Sequence, residues 1–344
     1  MKNIKSYYIY TFISTITRNI IDIYSVVYLY KLGLSTKNII YIYIMVYFLG
    51  IFLSMLIIFI GNKVGYKYIL ILSSIVTSFA FYVIRDSNNL YLIAIFLSLS
   101  IFTYHPIRHY YGLLFLNEKK KIGNGLILIY IASLLSSFLT INDFNIIYLI
   151  IISLIGMIPV LFIKKEISKR VVYPKKIDRN KLYYFIFDQF KIIFILLEPL
   201  YLYLIASDLS YVGLFNIILT ISSIIYMYLL VNKINIVKYY KFINIIFIFV
   251  LILKLNILNK NILLIIAFLE GIGVKTNELV STMNFYNYKS DVLGYLILSE
   301  EIFCLVRVII LEIIYLLPIN LKLILYILII GIFILSFTYK KDSI

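Results

Sequence analysis

Cysteine occurs once in this chain of 344 residues, tryptophan not at all and proline five times. A lone Cys304 excludes an internal disulfide and any cysteine-based zinc site, and His105 and His109 are the only histidines. Acidic residues are scarce, 16 against 32 basic ones, and charged residues together make up 14% of the chain. There is no Gly-x-x-x-x-Gly-Lys-Ser/Thr phosphate loop, so ATP hydrolysis is not expected. An Asp-rich surface metal site is missing too; only isolated Asp86, Asp143 and Asp208 fall in the outer connections. Neither an enzyme nor a resident cofactor or metal is expected.

Hydrophobic residues are abundant, at 63%, where soluble domains carry about 45–50% apolar and about 25% charged residues. A helix needs about 20 mostly apolar residues to cross a bilayer, and such runs follow one another here. They predict helices near residues 6–30, 38–60, 67–84, 90–116, 124–141, 145–163, 182–205, 211–231, 240–258, 262–286, 292–317 and 321–338. The first run exceeds the core of a signal peptide and lacks an A-x-A-like cleavage site, so it is expected to be retained. The expected fold is an all-α membrane protein of about 12 transmembrane helices, with Tyr as the interfacial aromatic, in the cell membrane.

The longest polar interruption, KKEISKRVVYPKKIDRNK, divides the chain nearly in half. It predicts an N-terminal six-helix half over 1–163, a basic cytoplasmic linker over 164–181 and a C-terminal six-helix half over 182–344. Basic residues concentrate in alternate connections, with Lys2, Lys63, Lys67, Lys119, Lys121, Lys238 and Lys340 on one side together with the linker. Only Lys31, Lys37, Arg85, Lys254, Lys260 and Lys322 are assigned to the other. Lys and Arg are retained on the cytoplasmic side of short loops, so both termini are expected in the cytoplasm. This distribution accounts for the net charge of +16 and removes the case for a nucleic-acid partner. A monomer in the lipid bilayer is expected. YLYKLGLS at Tyr28 and YLYLIASDLS at Tyr201 stand at corresponding places in the halves, as in an internal repeat.

Thirteen ionisable residues remain inside the hydrophobic runs: Arg18, Asp22, Arg108, Asp188, Lys191, Glu198, Glu270, Lys275, Glu278, Glu300, Glu301, Arg307 and Glu312. At about 2.5–3.5 kcal/mol each at a helix centre, they would cost on the order of 40 kcal/mol if exposed to lipid together. They must pair or face a wet cavity. All lie on the first, fourth, seventh, tenth and eleventh predicted helices, and four of these five recur at intervals of three, as expected if a three-helix unit repeats around a pathway.

Helical spacing gathers these groups into stripes. Thr11, Thr15, Arg18, Asp22 and Ser25 share one face of the first helix, and Ser98, His105, Arg108, His109 and Gly112 share one face of the fourth around Pro106. Glu270, Asn277, Ser281 and Asn284 mark the tenth, and Glu300, Cys304 and Arg307 the eleventh. Local readings stand beside functional ones. Arg18 and Asp22 suit either mutual neutralisation as an i,i+4 pair or direct contact with a substrate. Arg108 suits snorkelling to the inner surface, and His105 either packing or proton relay. Asp188 and Lys191 suit a local pair, while Glu198, beside Pro199, lies deeper.

The segment GNKVGYKY from Gly61 to Tyr68, together with the Pro-containing HPIRHYYGLLFLNEKKKIGNG, resembles the major facilitator superfamily of secondary transporters. The superfamily's loop signature runs roughly G-x-x-x-D-R/K-x-G-R-R/K. Lys63, Gly65 and Lys67 match it, whereas Ile58, Asn62 and Tyr66 replace Gly, Asp and Arg. The resemblance implies a gating loop at Asn62, Lys63, Gly65 and Lys67 and a cavity lined by the first, fourth, seventh and tenth helices. It also implies a secondary active transporter that moves a small solute by alternating access. Proton coupling through Asp22, Glu198, Glu270 or Glu300 is expected, with Arg18, Arg108 and Arg307 binding an anionic solute or holding carboxylates ionised. Composition leaves open a flippase for lipid-linked cargo and a membrane-embedded transferase.

Overall fold

The structure is a computed structural model that describes residues 2–87, 89–115, 119–141, 145–164, 171, 179–229, 236–286, 292–317 and 320–338. The side chains of 2, 23, 113–115, 119–124, 126, 179–185, 187, 229, 236–240, 277–286, 292, 295 and 335–338 lie outside that description. Among the described residues, all regular secondary structure is helical. The first helical stretch comprises α1 (Lys2–Asn19), a π-helical turn (Ile20–Tyr24) and α2 (Ser25–Lys31). There follow α3 (Thr36–Val64), α4 (Tyr66–Asp86), α5 (Leu90–Phe115), α6 (Lys119–Ile141), α7 (Ile146–Ile155) and α8 (Met157–Leu161). The remainder is α9 (Arg179–Ala206), α10 (Leu209–Leu229), α11 (Ile236–Asn256), α12 (Lys260–Tyr286), α13 (Val292–Leu316) and α14 (Leu321–Thr338).

These helices coincide with the hydrophobic runs to within a few residues, and polar caps set their starts. Ser35 Oγ accepts from Asn38 N–H at 3.2 Å ahead of α3, and Asn145 Oδ1 from Ile147 N–H at 3.0 Å ahead of α7. Asn89, Asn259 and Asn320 do the same for α5, α12 and α14. The sixth run is broken at Gly156, after which Pro159, lacking an N–H, sits in the first turn of α8, where that N–H has no helical acceptor.

Among the described residues, five helices are long and apolar enough to cross a membrane: Thr36–Val64, Tyr66–Asp86, Leu90–Gly112, Asp188–Ala206 and Leu209–Tyr228. On α3 the exposed side chains Phe48, Phe52, Met55 and Phe59 recur at helical spacing. Buried residues include Arg18, Asp188, Lys191, Glu198, Glu270 and Arg307. Apolar groups outside and charges inside are the arrangement for a hydrocarbon solvent, making this a multi-pass membrane protein.

Compactness divides the chain into two units. The first comprises 1–136, 144–175 and 290–316, so α13 belongs with α1 to α5. Within it Ser98 Oγ donates to Val46 O at 2.9 Å and Ser153 Oγ to Ser74 O at 2.9 Å, joining α5 to α3 and α7 to α4. Small residues permit such close helix approach in a membrane. The second unit comprises 137–143, 176–289 and 317–344. There Gly271 of α12 lies against Leu219 and Ser222 of α10, where any β-carbon would collide, and Ser223 Oγ donates to Gly271 O at 2.9 Å.

Candidate functional site

In the first unit the polar stripe of α1 meets α4 and α5. Arg18, 3% exposed, donates to Ser100 Oγ at 2.6 Å, Ser73 Oγ at 2.9 Å and Thr77 Oγ1 at 2.7 Å. Its guanidinium also stands 4.5 Å from the centre of the Tyr104 ring. Three hydroxyls from two helices and an aromatic face thus surround a permanent charge, the planar fork of arginine reaching all of them at once.

Asp22 lies in the π-helical turn. Such turns reset the direction of side chains that follow and recur at functional sites. Asp22 Oδ2 lies 3.3 Å from His105 Nε2 on α5, with about a third of either side chain exposed. Among the described residues no ion pair joins Arg18 to Asp22; Arg18 donates to hydroxyls of α4 and α5, and Asp22 pairs with His105.

Tyr104, 1% exposed, joins these groups. Its hydroxyl lies 3.1 Å from Ser14 Oγ, its ring packs against Tyr10 and His105, and the Arg108 guanidinium stands 5.6 Å from its centre. Arg18, His105 and Arg108 therefore converge on one ring, and Asp22 joins the group through His105. Among the described residues the Tyr10 hydroxyl, Thr11 Oγ1, Thr15 Oγ1 and Asp22 Oδ1 are buried without a hydrogen-bond partner. Buried polar groups of this kind are uncommon and form ready partners for a polar solute.

On α13 of the same unit Arg307 is buried, 5.0 Å from the Tyr47 ring centre and 5.9 Å from that of Phe303. Glu300 is half-buried on this helix and Cys304 fully buried.

The second unit holds a different centre. Lys254, near the end of α11, has no exposed surface and bridges Glu198 of α9 and Glu270 of α12, the latter at 2.8 Å. Phe194 and Phe215 cover the ammonium, with ring centres 5.3 and 4.7 Å away. The sequence places Lys254 in an outer connection; the structure corrects this. Lys254 is two residues from the helix end, but its long stem carries the charge inward to the carboxylates. On α9 Asp188 and Lys191 form the expected local pair at 2.6 Å. Asn277 falls on α12, its side chain outside the described residues.

The loop signature occupies the junction of α3 and α4. Gly65 ends α3 with φ at +107°, a conformation that favours glycine. Lys63 is exposed, while Lys67 Nζ donates to Leu161 O at 2.7 Å. Asn62 Nδ2 donates to Val171 O at 3.1 Å, and its Oδ1 accepts from Val171 N–H at 3.0 Å and from the Tyr66 hydroxyl at 3.1 Å. An amide can donate and accept at once, as a carboxylate cannot. Asn62 thereby clasps the backbone of the linker at Val171.

Tyr104 and Lys254 are the two central residues that sequence reasoning missed. The signal for Tyr104 was its place beside His105 and one turn before Arg108; for Lys254 it was an odd charge at the end of an apolar run.

No family model matches the chain, and no curated protein matches it in sequence. Solved structures do match in fold. A point mutant of the nucleoside transporter NupG is 12% identical, covering 98% of this chain and 100% of its own, with a TM-score of 0.69. A bacterial homologue of the iron transporter ferroportin, in an outward-facing state, is 11% identical over 98% of this chain and 97% of its own, with a TM-score of 0.62. A bacterial metal transporter is 12% identical with a TM-score of 0.57. The chain has the fold of the major facilitator superfamily of transporters.

Proposed function

We propose that this protein is a secondary transporter that carries a small organic solute across the cell membrane by alternating access, coupled to protons. About twelve membrane crossings, in six-helix halves over 1–163 and 182–344 with both termini in the cytoplasm, are part of this reading. The observation that carries it is the Arg18 centre: a buried guanidinium, an aromatic ring and unpartnered hydroxyls beside Asp22 and His105, inside a helical membrane fold shared with transporters.

A guanidinium and hydroxyls recognise acceptor oxygens, an aromatic face recognises a flat ring, and Asp22 accepts from hydroxyl or amino groups. A solute with a ring and several hydrogen-bonding groups suits this set, and nucleosides, the cargo named for one fold neighbour, head the compounds to test. Asn62, Lys63, Gly65 and Lys67 form the gating loop. Asp22, Glu198, Glu270 and Glu300 are the carboxylates available for coupling, and Arg307 and Asn277 belong to the lining. A thermal-stabilisation screen at two pH values tests the reading: a binder stabilises the native state through mass action. The expected result is a stabilising solute whose effect is lost in Arg18→Gln; a hit insensitive to that change would remove Arg18 from the site.

A further inference from the structure

The second unit buries one cation against two anions. Lys254 is 0% exposed, Glu270 1% and Glu198 6%, and both carboxylates reach the same ammonium. Fully ionised, the triad would carry a net negative charge in a site closed by Phe194 and Phe215. An uncompensated charge in such surroundings is strongly disfavoured, and ionisable groups neutralise instead.

No second cation balances the triad among the described residues. On α9 Lys191 is held by Asp188 at 2.6 Å. On α12 Lys275 is five residues beyond Glu270, more than one helical turn away along the chain, and the ion pairs of Glu198 and Glu270 are both with Lys254. Tyrosines of this unit that bond around the end of α11 and the start of α12 have their own acceptors: Tyr201 donates to Leu255 O at 3.2 Å, Tyr211 to Lys260 O at 2.7 Å and Tyr326 to Asn256 Oδ1 at 3.0 Å. Tyr226 lies with Thr276 at 2.8 Å.

We propose that Glu198, Lys254 and Glu270 form a single-proton site, in which one carboxyl is protonated and the other ionised against the ammonium, and that the proton of the transport cycle resides there. The proposal rests on the proton-coupled reading above and names its location. Taking up the proton converts one carboxylate to a carboxylic acid and leaves the triad neutral; releasing it to water restores the anion. Release therefore accompanies exposure of the site to water, and return of the triad to its buried form requires a proton.

Infrared spectroscopy of the full chain in lipid nanodiscs, in sodium-free buffer at neutral pH, tests this without any solute. The protonated-carboxyl stretch is expected from the wild type and shifts in deuterated water. Glu198→Gln and Glu270→Gln each leave one carboxylate with one ammonium, so each abolishes the triad's contribution. Lys254→Gln leaves two carboxyls without a cation and doubles it. The proposal is overturned if the wild type lacks the band or if all three substitutions leave it unchanged; a wild-type band that sodium abolishes would overturn it in favour of a monovalent cation. The glutamine variants preserve side-chain shape, so they keep the test valid if Lys254→Gln does not fold. Failure here removes the proton site and leaves solute transport to be decided by flux.

Discussion

The two units bury a positive charge in opposite ways. Arg18 is held by neutral hydroxyls and a ring, with its carboxylate neighbour Asp22 turned to His105. Lys254 is held by two carboxylates. Dipoles around a guanidinium make a fixed positive field that does not titrate. Two acids around an ammonium make a centre whose charge depends on a proton. The difference assigns solute recognition to the first unit and proton binding to the second in the proposed mechanism.

Removing the two cations should break the comparison most visibly. Lys254→Met leaves two buried carboxylates facing each other and should destabilise the protein by about 3–5 kcal/mol at neutral pH. The folded variant must take up protons that the unfolded chain does not hold, so its stability recovers as pH falls. Thermal unfolding in detergent across a pH series measures both effects, and a loss that persists unchanged in acid would contradict the account. Arg18→Met should have a smaller effect, about 1–3 kcal/mol, and one that is insensitive to pH. Two of its three hydroxyl partners keep a bond without it, since Thr77 donates to Ser73 O at 2.7 Å and lies 3.1 Å from Ser100 Oγ, whereas Ser73 Oγ gives up its bond from Arg18. A stronger pH dependence for Arg18→Met than for Lys254→Met would reverse the assignment of the two units.

Arg18→Lys sharpens the comparison. It keeps the charge but replaces the fork with a point charge, so about 1–2 kcal/mol is lost as hydroxyl contacts are given up. If this variant unfolds like the wild type, the fork is unimportant.

The smallest effect expected is at the linker. Val171 is 6% exposed and clasped by Asn62, and the native Cys304 is buried. A Val171→Cys probe should therefore react slowly with a maleimide, and Asn62→Ala should raise its rate about tenfold, corresponding to loss of about 1.4 kcal/mol of docking energy. Equal rates with and without Asn62 would show that the clasp does not hold the linker.

Much of the helical framework was legible because long apolar runs announce themselves one residue at a time. The face of α1 bearing Thr11, Thr15, Arg18 and Asp22 follows from spacing alone. Its partners do not: the π turn inserts no recognisable residue, and IIDIY reads like any other apolar helix. Lys254 was misplaced for a related reason. Position in a hydropathy window gives the depth of the backbone, whereas a lysine stem places its charge several bonds away, towards whatever carboxylates the tertiary fold supplies. Asn62 was legible as a missing acid in the loop signature, but its hydrogen bonds to Val171 depend on a backbone distant in sequence.

Flux in proteoliposomes tests the central claim most directly, using the most stabilising solute from the screen. With an imposed pH gradient the solute should accumulate inside above its external concentration, and a protonophore or Glu270→Gln should abolish the accumulation. Absence of flux, or equilibration unaffected by the gradient, would contradict proton-coupled transport.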